Sequence, residues 1–478
     1  MVRWSVGAGL AAALAFGCGG NPLGATPRTG KGHPAEPAPA PAPGGPVTPD
    51  ARPTNFLVIV ADDLGTDKVR AYHEQSVTPS TPSIDGLAAD GVLFRNAYTY
   101  PTCSSSRAAL LTGRYGRRNG MGGIVDLGES TYELPLGEIT IPEALDRKGR
   151  DWHAAAIGKW HLSGFRTEHA FEHPLKQGFD HYAGCIGNLV LTSKDYGQRG
   201  NYFHYEKDTD GEVSWSTRYA TAETTDDAVG QLKTLPEPWF LWVAYNAPHE
   251  PFHAPPADLL SHPVSKDATD LELHTAAVEA MDREIGRLLA SMSDAQRRST
   301  TIVFVGDNGT DQGAILPPLD PSHGKASLFE GGTNVPLIVS GAGVPGPGEA
   351  KALVHAVDLL PTVLELAGAS ADGLVLDGQS FASVLANPRS DGPRRTVYTE
   401  RFSPIGGGPY DVDMVALRDA RYKILRTKQG GFKFFDLQGR FDDGEGRAAK
   451  ELTGPDRARF EALKAELDEI ARTVTYGY

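Results

Sequence analysis

At 478 residues, with 40% hydrophobic and 8% aromatic residues, the chain can bury a large globular core, which excludes a wholly disordered protein. Its formal net charge of −14 excludes a general polyanion-binding surface, so nucleic acid is not an expected partner. With only three cysteines, Cys18, Cys103 and Cys185, a disulfide framework is excluded as well.

In chain order, residues 1–18 predict an export signal: Arg3, a short apolar segment from Val6 to Phe16, then Gly17-Cys18-Gly19. The apolar stretch is too short for a permanent bilayer span. Small residues before Cys18 resemble a bacterial lipobox, although Leu14 lies one position too far upstream and Phe16 is bulky. Two readings stand. Cys18 is acylated and tethers a periplasmic or cell-surface protein to a membrane, or the chain is simply secreted. Residues 19–52 are rich in Pro, Gly and Ala, which predicts a disordered linker.

Folded sequence begins near residue 53. The run Phe56-Leu57-Val58-Ile59-Val60-Ala61 reads as a strand buried on both faces of a parallel sheet. Similar runs recur at 154–157, 240–244, 302–305 and 335–339, with helical patterns at 83–90 and 276–289 between them. This alternation predicts an α/β domain over 53–395, a large mixed, mostly parallel sheet flanked by helices. From residue 396 to 478 the pattern changes. Short strands at 397–399, 415–418, 422–425 and 432–435 predict a small antiparallel sheet, followed by a helix from Pro455 to Val474 with Thr453 as N-cap.

Polar residues follow the carboxyl ends of four strands: Asp62-Asp63, Lys159-Trp160-His161, Asn246-Ala247-Pro248-His249 and Asp307-Asn308-Gly309. In open α/β sheets the ligand crevice lies beyond those ends. Asp62, Asp63, Asp307 and Asn308 are oxygen donors, which suit calcium or magnesium rather than zinc. Each pair alone also fits a turn or a helix cap.

The run Cys103-Ser104-Ser105-Ser106-Arg107, continuing to Arg114, resembles the maturation signature of the sulfatase family. Five further segments agree in order and rough spacing: 60–65, 158–162, 247–252, 306–309 and 324–332. The chain is thus similar to the formylglycine-dependent, arylsulfatase-like members of the alkaline-phosphatase-like superfamily, and the resemblance covers residues 54 to about 440.

That resemblance implies an alkaline-phosphatase-like fold and hydrolysis of sulfate monoesters, carried by small molecules or carbohydrates. It implies calcium, with magnesium as the alternative, held by Asp62, Asp63, Asp307, Asn308 and the modified Cys103. A maturation enzyme would convert Cys103 to formylglycine, whose hydrate is the nucleophile. Arg107 matches the residue that holds this hydrate, and Lys159, His161, His249 and Lys325 match the groups around the sulfate. His161 is then the candidate base for eliminating sulfate from the hydrate. His249 is the candidate acid for the leaving alkoxide, with Lys325 sharing that role. The chain departs from the family pattern at Ser105, where proline or alanine is usual.

Three other readings remain open. They are a phosphonate monoester or phosphodiester hydrolase of the same superfamily, a non-catalytic lipoprotein that binds sulfated glycans, and a cysteine hydrolase. Residues 184–225 predict loops beside the pocket. There Tyr196, Tyr202, Phe203, Tyr205 and Trp215 either stack on a substrate ring or fill a loop core. Cys185 reads as a buried small residue.

Overall fold

Among the described residues the strands are β1 (Asn55–Ala61), β2 (Val92–Tyr98), β3 (His153–Gly158), β4 (His181–Gly184), β5 (Leu191–Ser193), β6 (Gly197–Arg199), β7 (Tyr205–Thr209), β8 (Glu212–Ser216), β9 (Trp239–Ala244), β10 (Thr300–Gly306), β11 (Leu337–Gly341), β12 (Gly348–His355), β13 (Val397–Ser403), β14 (Val412–Arg418), β15 (Tyr422–Arg426), β16 (Phe432–Asp436) and β17 (Arg447–Ala448). The computed structural model describes residues 53–476 apart from 76–77, 148, 150, 190, 194–196, 428–429 and 439–441. The expected export signal, Cys18, the linker and Tyr196 lie outside the described residues.

Ten strands form one sheet in the order β12-β2-β11-β10-β1-β9-β3-β4-β7-β8. Hydrophobic continuity explains why β1 is central. Every residue from Phe56 to Ala61 is fully buried, because both faces of the strand are covered. Phe56, Val58 and Val60 point into one core with Ala108, Leu111, Leu360 and Val363. Leu57, Ile59 and Ala61 point into the other with Ile84, Val278, Met281 and Ile285. Truncating Ile59 to Ala would cost about 2–5 kcal/mol in such a site.

The expected mixed, mostly parallel sheet is present, with β11 and β7 running against their neighbours. Strands β2, β4 and β12 join the expected ones. The helix expected over 276–289 spans Asp270–Ser291. Its earlier start follows from a capping box: Thr269 accepts from the Glu272 N–H at 3.3 Å, and Glu272 accepts from the Thr269 N–H at 2.7 Å.

The second sheet has the antiparallel order β13-β14-β15-β16-β17. The last helix, Gly454–Thr473, buries Phe460, Leu463 and Leu467 in the same core as Phe56 and Val58. The small sheet shares that core through Leu417, Ile424 and Phe434. It therefore has a fixed seat on the main body.

Parallel register aligns the strand ends that matter. Ala61 lies opposite Gly306, Val60 opposite Ala244, and Gly158 opposite Ala244. The residues after β1, β3, β9 and β10 consequently leave the sheet along a single edge.

Candidate active site

Asp62 and Asp63 follow β1, and Asp307 and Asn308 follow β10. Asp63 adopts a left-handed backbone, with φ of 65°. Its surroundings hold it there: the Asp63 N–H donates to Asp307 Oδ1 at 3.1 Å, and its carboxylate accepts from Asn308 Nδ2 at 2.7 Å and Lys325 Nζ at 2.6 Å. Cys103 is the first residue of the helix Cys103–Thr112, and Arg107 lies one turn later on the same face. Cys103 Sγ is 3.9 Å from Asp63 Oδ1.

Arg107 is fully buried. Its guanidinium donates to Asp307 Oδ2 from Nε at 3.0 Å and to the Lys159 carbonyl from Nη1 at 2.6 Å. Lys159 Nζ donates to Asp62 Oδ2 and, at 2.6 Å, to Asn188 Oδ1. His249 Nε2 is 3.6 Å from Asp63 Oδ2, and its Nδ1–H donates to the Glu250 carbonyl at 2.7 Å. His161, with φ of 65°, donates from Nε2 to the Val125 carbonyl at 3.1 Å. Its buried Nδ1 has no hydrogen-bond partner among the described residues.

Electrostatics follow from dense burial of opposite charges. Burial alone would raise the Asp62 carboxyl, but Lys159, His249 and Arg107 hold it well below the usual carboxylate range. Asp307 goes the other way: burial, then the Asp62 charge, push it up to about 7 despite Arg107. Burial, with Lys159 and Arg107 nearby, depresses His161 far below an ordinary imidazole. Burial chiefly lifts the Cys103 thiol, so an unmodified Cys103 is a poor thiolate. This counts against the cysteine-hydrolase reading.

All the residues read from the motifs thus meet at one sheet edge. Arg107 engages Asp307 and the Lys159 backbone, which ties the strand ends together. Asn188 escaped the motif reading. It contacts Lys159 from 29 positions away on an irregular loop, and no local pattern marks it. Val125 contributes only a carbonyl, which has no residue-type signal at all. Ser105 Oγ turns back to the Thr102 carbonyl at 2.9 Å, toward the helix start. Cys185 is buried, with Sγ 3.1 Å from Asn246 Oδ1, and both it and Cys103 are free thiols. Of the aromatic candidates, Tyr202 and Tyr205 are buried whereas Phe203 and Trp215 are exposed. Tyr202 Oη lies 2.7 Å from the carbonyls of Asn246 and His249, so it supports the His249 loop.

A cation fits this donor set. Ligand atoms of Asp62, Asp63, Cys103 and His249 lie within 4.8 Å of one another. Asp62 Oδ1 and Asn308 Oδ1 are buried oxygens with no hydrogen-bond partner among the described residues. Buried carboxylates in such proximity repel each other unless a positive charge offsets them.

A family model described as Sulfatase matches residues 54–369. The chain belongs to the sulfatase family. Human arylsulfatase A is 30% identical over 413 residues, covering 80% of this chain and 76% of the human protein. The uncharacterized sulfatase YdeN of Escherichia coli (strain K12) is 29% identical over 369 residues, covering 72% of this chain but 63% of its own length. Among solved structures, Ps i-CgsB in complex with k-i-k-neocarrahexaose matches with a TM-score of 0.73 and 27% identity, over 89% of this chain and 93% of that one. In this sulfatase the family match contains every described candidate site residue and ends before β13. No helix among its described residues is long and apolar enough to cross a membrane.

Proposed function

We propose that this sulfatase hydrolyses sulfate monoesters, with Cys103 converted to formylglycine. One observation carries the reading: the Cys103 side chain lies among Asp62, Asp63 and His249, with Lys159 and Lys325 paired to those carboxylates. The formylglycine hydrate would supply the nucleophile, and its second hydroxyl allows sulfate to be expelled as the aldehyde returns. Calcium, with magnesium as the alternative, would be held by Asp62, Asp63, Asp307 and Asn308 and would supply Lewis-acid charge stabilisation.

The chain's own groups do the rest. Lys159 and Lys325 place fixed positive charge where a sulfuryl group gains negative charge. Lys325 stays protonated: burial works against its charge, but Asp63 outweighs it and raises its pKa. His161 suits the role of base, because Nε2–H is committed to Val125 and Nδ1 keeps its lone pair. His249 and Lys325 both face the Asp63 carboxylate. Burial and the Lys325 charge disfavour the His249 imidazolium, while Asp63 favours it. An anionic ester beside Lys325 would shift that balance, so His249 takes up its proton as substrate arrives and can pass it to the leaving alkoxide.

We further propose that residues 53–395 form the catalytic domain, that 396–478 form its C-terminal subdomain, and that the chain is exported with Cys18 as an optional lipid site. Mass spectrometry of the mature N-terminus checks the last point. For the reaction, the protein is produced with a formylglycine-generating enzyme and assayed on paired aryl sulfate and aryl phosphonate esters. Faster sulfate turnover, with an aldehyde at position 103, is expected. A retained thiol in active protein, or preference for the phosphonate, overturns the proposal.

A further inference from the structure

We infer that the C-terminal sheet positions Lys325, with Glu330 and Arg401 as its positioning residues; this rests on the proposed role of Lys325 at the ester. Lys325 follows a short 3₁₀ turn, Pro321–His323, rather than a strand, so the main sheet does not fix its direction. Ala326 beside it adopts a left-handed backbone, with φ of 70°. A residue with a Cβ stays in that region only when its surroundings over-determine it. Here the Ala326 N–H donates to the Pro101 carbonyl at 2.8 Å, next to the Cys103 helix. The Ala326 carbonyl accepts from Arg401 Nη1, on β13.

A second anchor lies four residues further on. Glu330 is buried and accepts from Arg418 Nη1, on β14, at 2.5 Å and from Lys423 Nζ, on β15, at 3.2 Å. The Glu330 N–H donates to Asp443, which also pairs with Lys423 at 2.9 Å. A third contact joins His323 Nδ1 to Asp442 Oδ1 at 2.7 Å, on the other side of Lys325.

Two grips from the small sheet, and a third from the connection between β16 and β17, thus flank a single lysine. Arg401, Arg418 and Lys423 lie beyond the family match, which ends at residue 369. Glu330 contacts Tyr98, Arg418 and Lys423, away from the carboxylate cluster, so its influence on the ester runs through the loop. Buried charge pairs with several partners hold one geometry, and a small displacement of a charged group near reacting atoms is costly in rate.

The test is a double-mutant cycle on the full-length matured protein. Glu330→Gln and Arg401→Met are made alone and combined with Lys325→Ala, and aryl sulfates of rising leaving-group basicity are the substrates. Each single variant is expected to lower kcat about 10- to 100-fold, with the larger loss on the poorer leaving groups and little change in KM. In the Lys325→Ala background the further loss should shrink to about twofold. Arg401 is only half-buried, so Arg401→Met carries the test if Glu330→Gln does not fold. Losses that multiply with Lys325→Ala, or fall equally on all leaving groups, make the sheet a structural support and overturn the inference. Wild-type turnover unaffected by either substitution does the same while leaving the hydrolase reading intact. Wild-type protein without turnover on any of these esters overturns both.

Discussion

Asn308 Nδ2 points at Asp63 Oδ1 over 2.7 Å and leaves Asn308 Oδ1 buried with no hydrogen-bond partner among the described residues. An amide donor thereby faces a carboxylate at the centre of an acidic cluster. A divalent ion would replace that weak partial charge with a full one, so calcium should raise the thermal unfolding midpoint and a chelator should lower it. At a hundredfold excess over Kd the gain is about 2.7 kcal/mol. A midpoint indifferent to calcium, magnesium and chelator alike would remove the cation from this site.

Cation affinity should also depend on pH. The Asp307 carboxyl, pushed up by burial and by Asp62 to about 7, is largely protonated in the ion-free site below that value. Binding favours the carboxylate, so affinity should rise from pH 6 to pH 8, with proton release at the lower pH. Calorimetry in buffers of different ionisation enthalpy reads that proton directly. No release at pH 6 would contradict the assignment.

Arg107 bridges Asp307 and the backbone of Lys159, so it serves the fold as well as the site. Arg107→Met leaves a buried carboxylate without its counter-charge and should cost about 3–5 kcal/mol. Arg107→Lys should recover little, because an ammonium cannot make the forked pair of contacts. Denaturant midpoints decide this, and a wild-type midpoint for either variant would count against the bridging role.

His173 makes the fold acid-sensitive. Its Nδ1 accepts from Trp160 Nε1 at 3.0 Å and its Nε2–H donates to the Leu134 carbonyl at 2.8 Å, an arrangement that only the neutral ring satisfies. Burial chiefly lowers its pKa to about 4. The unfolded chain takes up the proton near pH 6.5, so this contribution is present above that pH and is lost as pH falls toward 4. The group accounts for about 3 kcal/mol over that window. His173→Gln should show a flatter dependence of stability on pH; an unchanged slope would mean that other groups dominate.

Ser105 Oγ lies 2.6 Å from Thr102 Oγ1 and donates to the Thr102 carbonyl, away from the carboxylates. Ser105→Ala should therefore leave turnover per converted molecule within about twofold of the parent. Under the proposed maturation, what it should change is the fraction of Cys103 converted, because Ser105 stands where the family pattern has proline or alanine. Peptide mass spectra and active-site titration separate the two quantities. A large fall in turnover per aldehyde would place Ser105 in the working site.

Hydrophobic continuity alone marked the strands that carry the polar edge. Phe56 to Ala61 needs cover on two faces wherever it folds, and so do the runs in β3, β9 and β10. A polar pair at the end of such a strand must leave the core at the sheet edge, which is why Asp62, Lys159, His249 and Asp307 are legible in the sequence. Direction and partnership were not. Whether β11 runs with or against β10, and that Arg107 meets a carboxylate 200 positions away, depend on how distant segments close on one another. The same holds for Asn188 beside Lys159 and for the grip of Arg401 and Arg418 on the Lys325 loop. Local pattern records what a residue must bury; only the closed chain decides which charge it meets there, because that pairing is made through space between segments whose separation along the chain leaves no periodic trace.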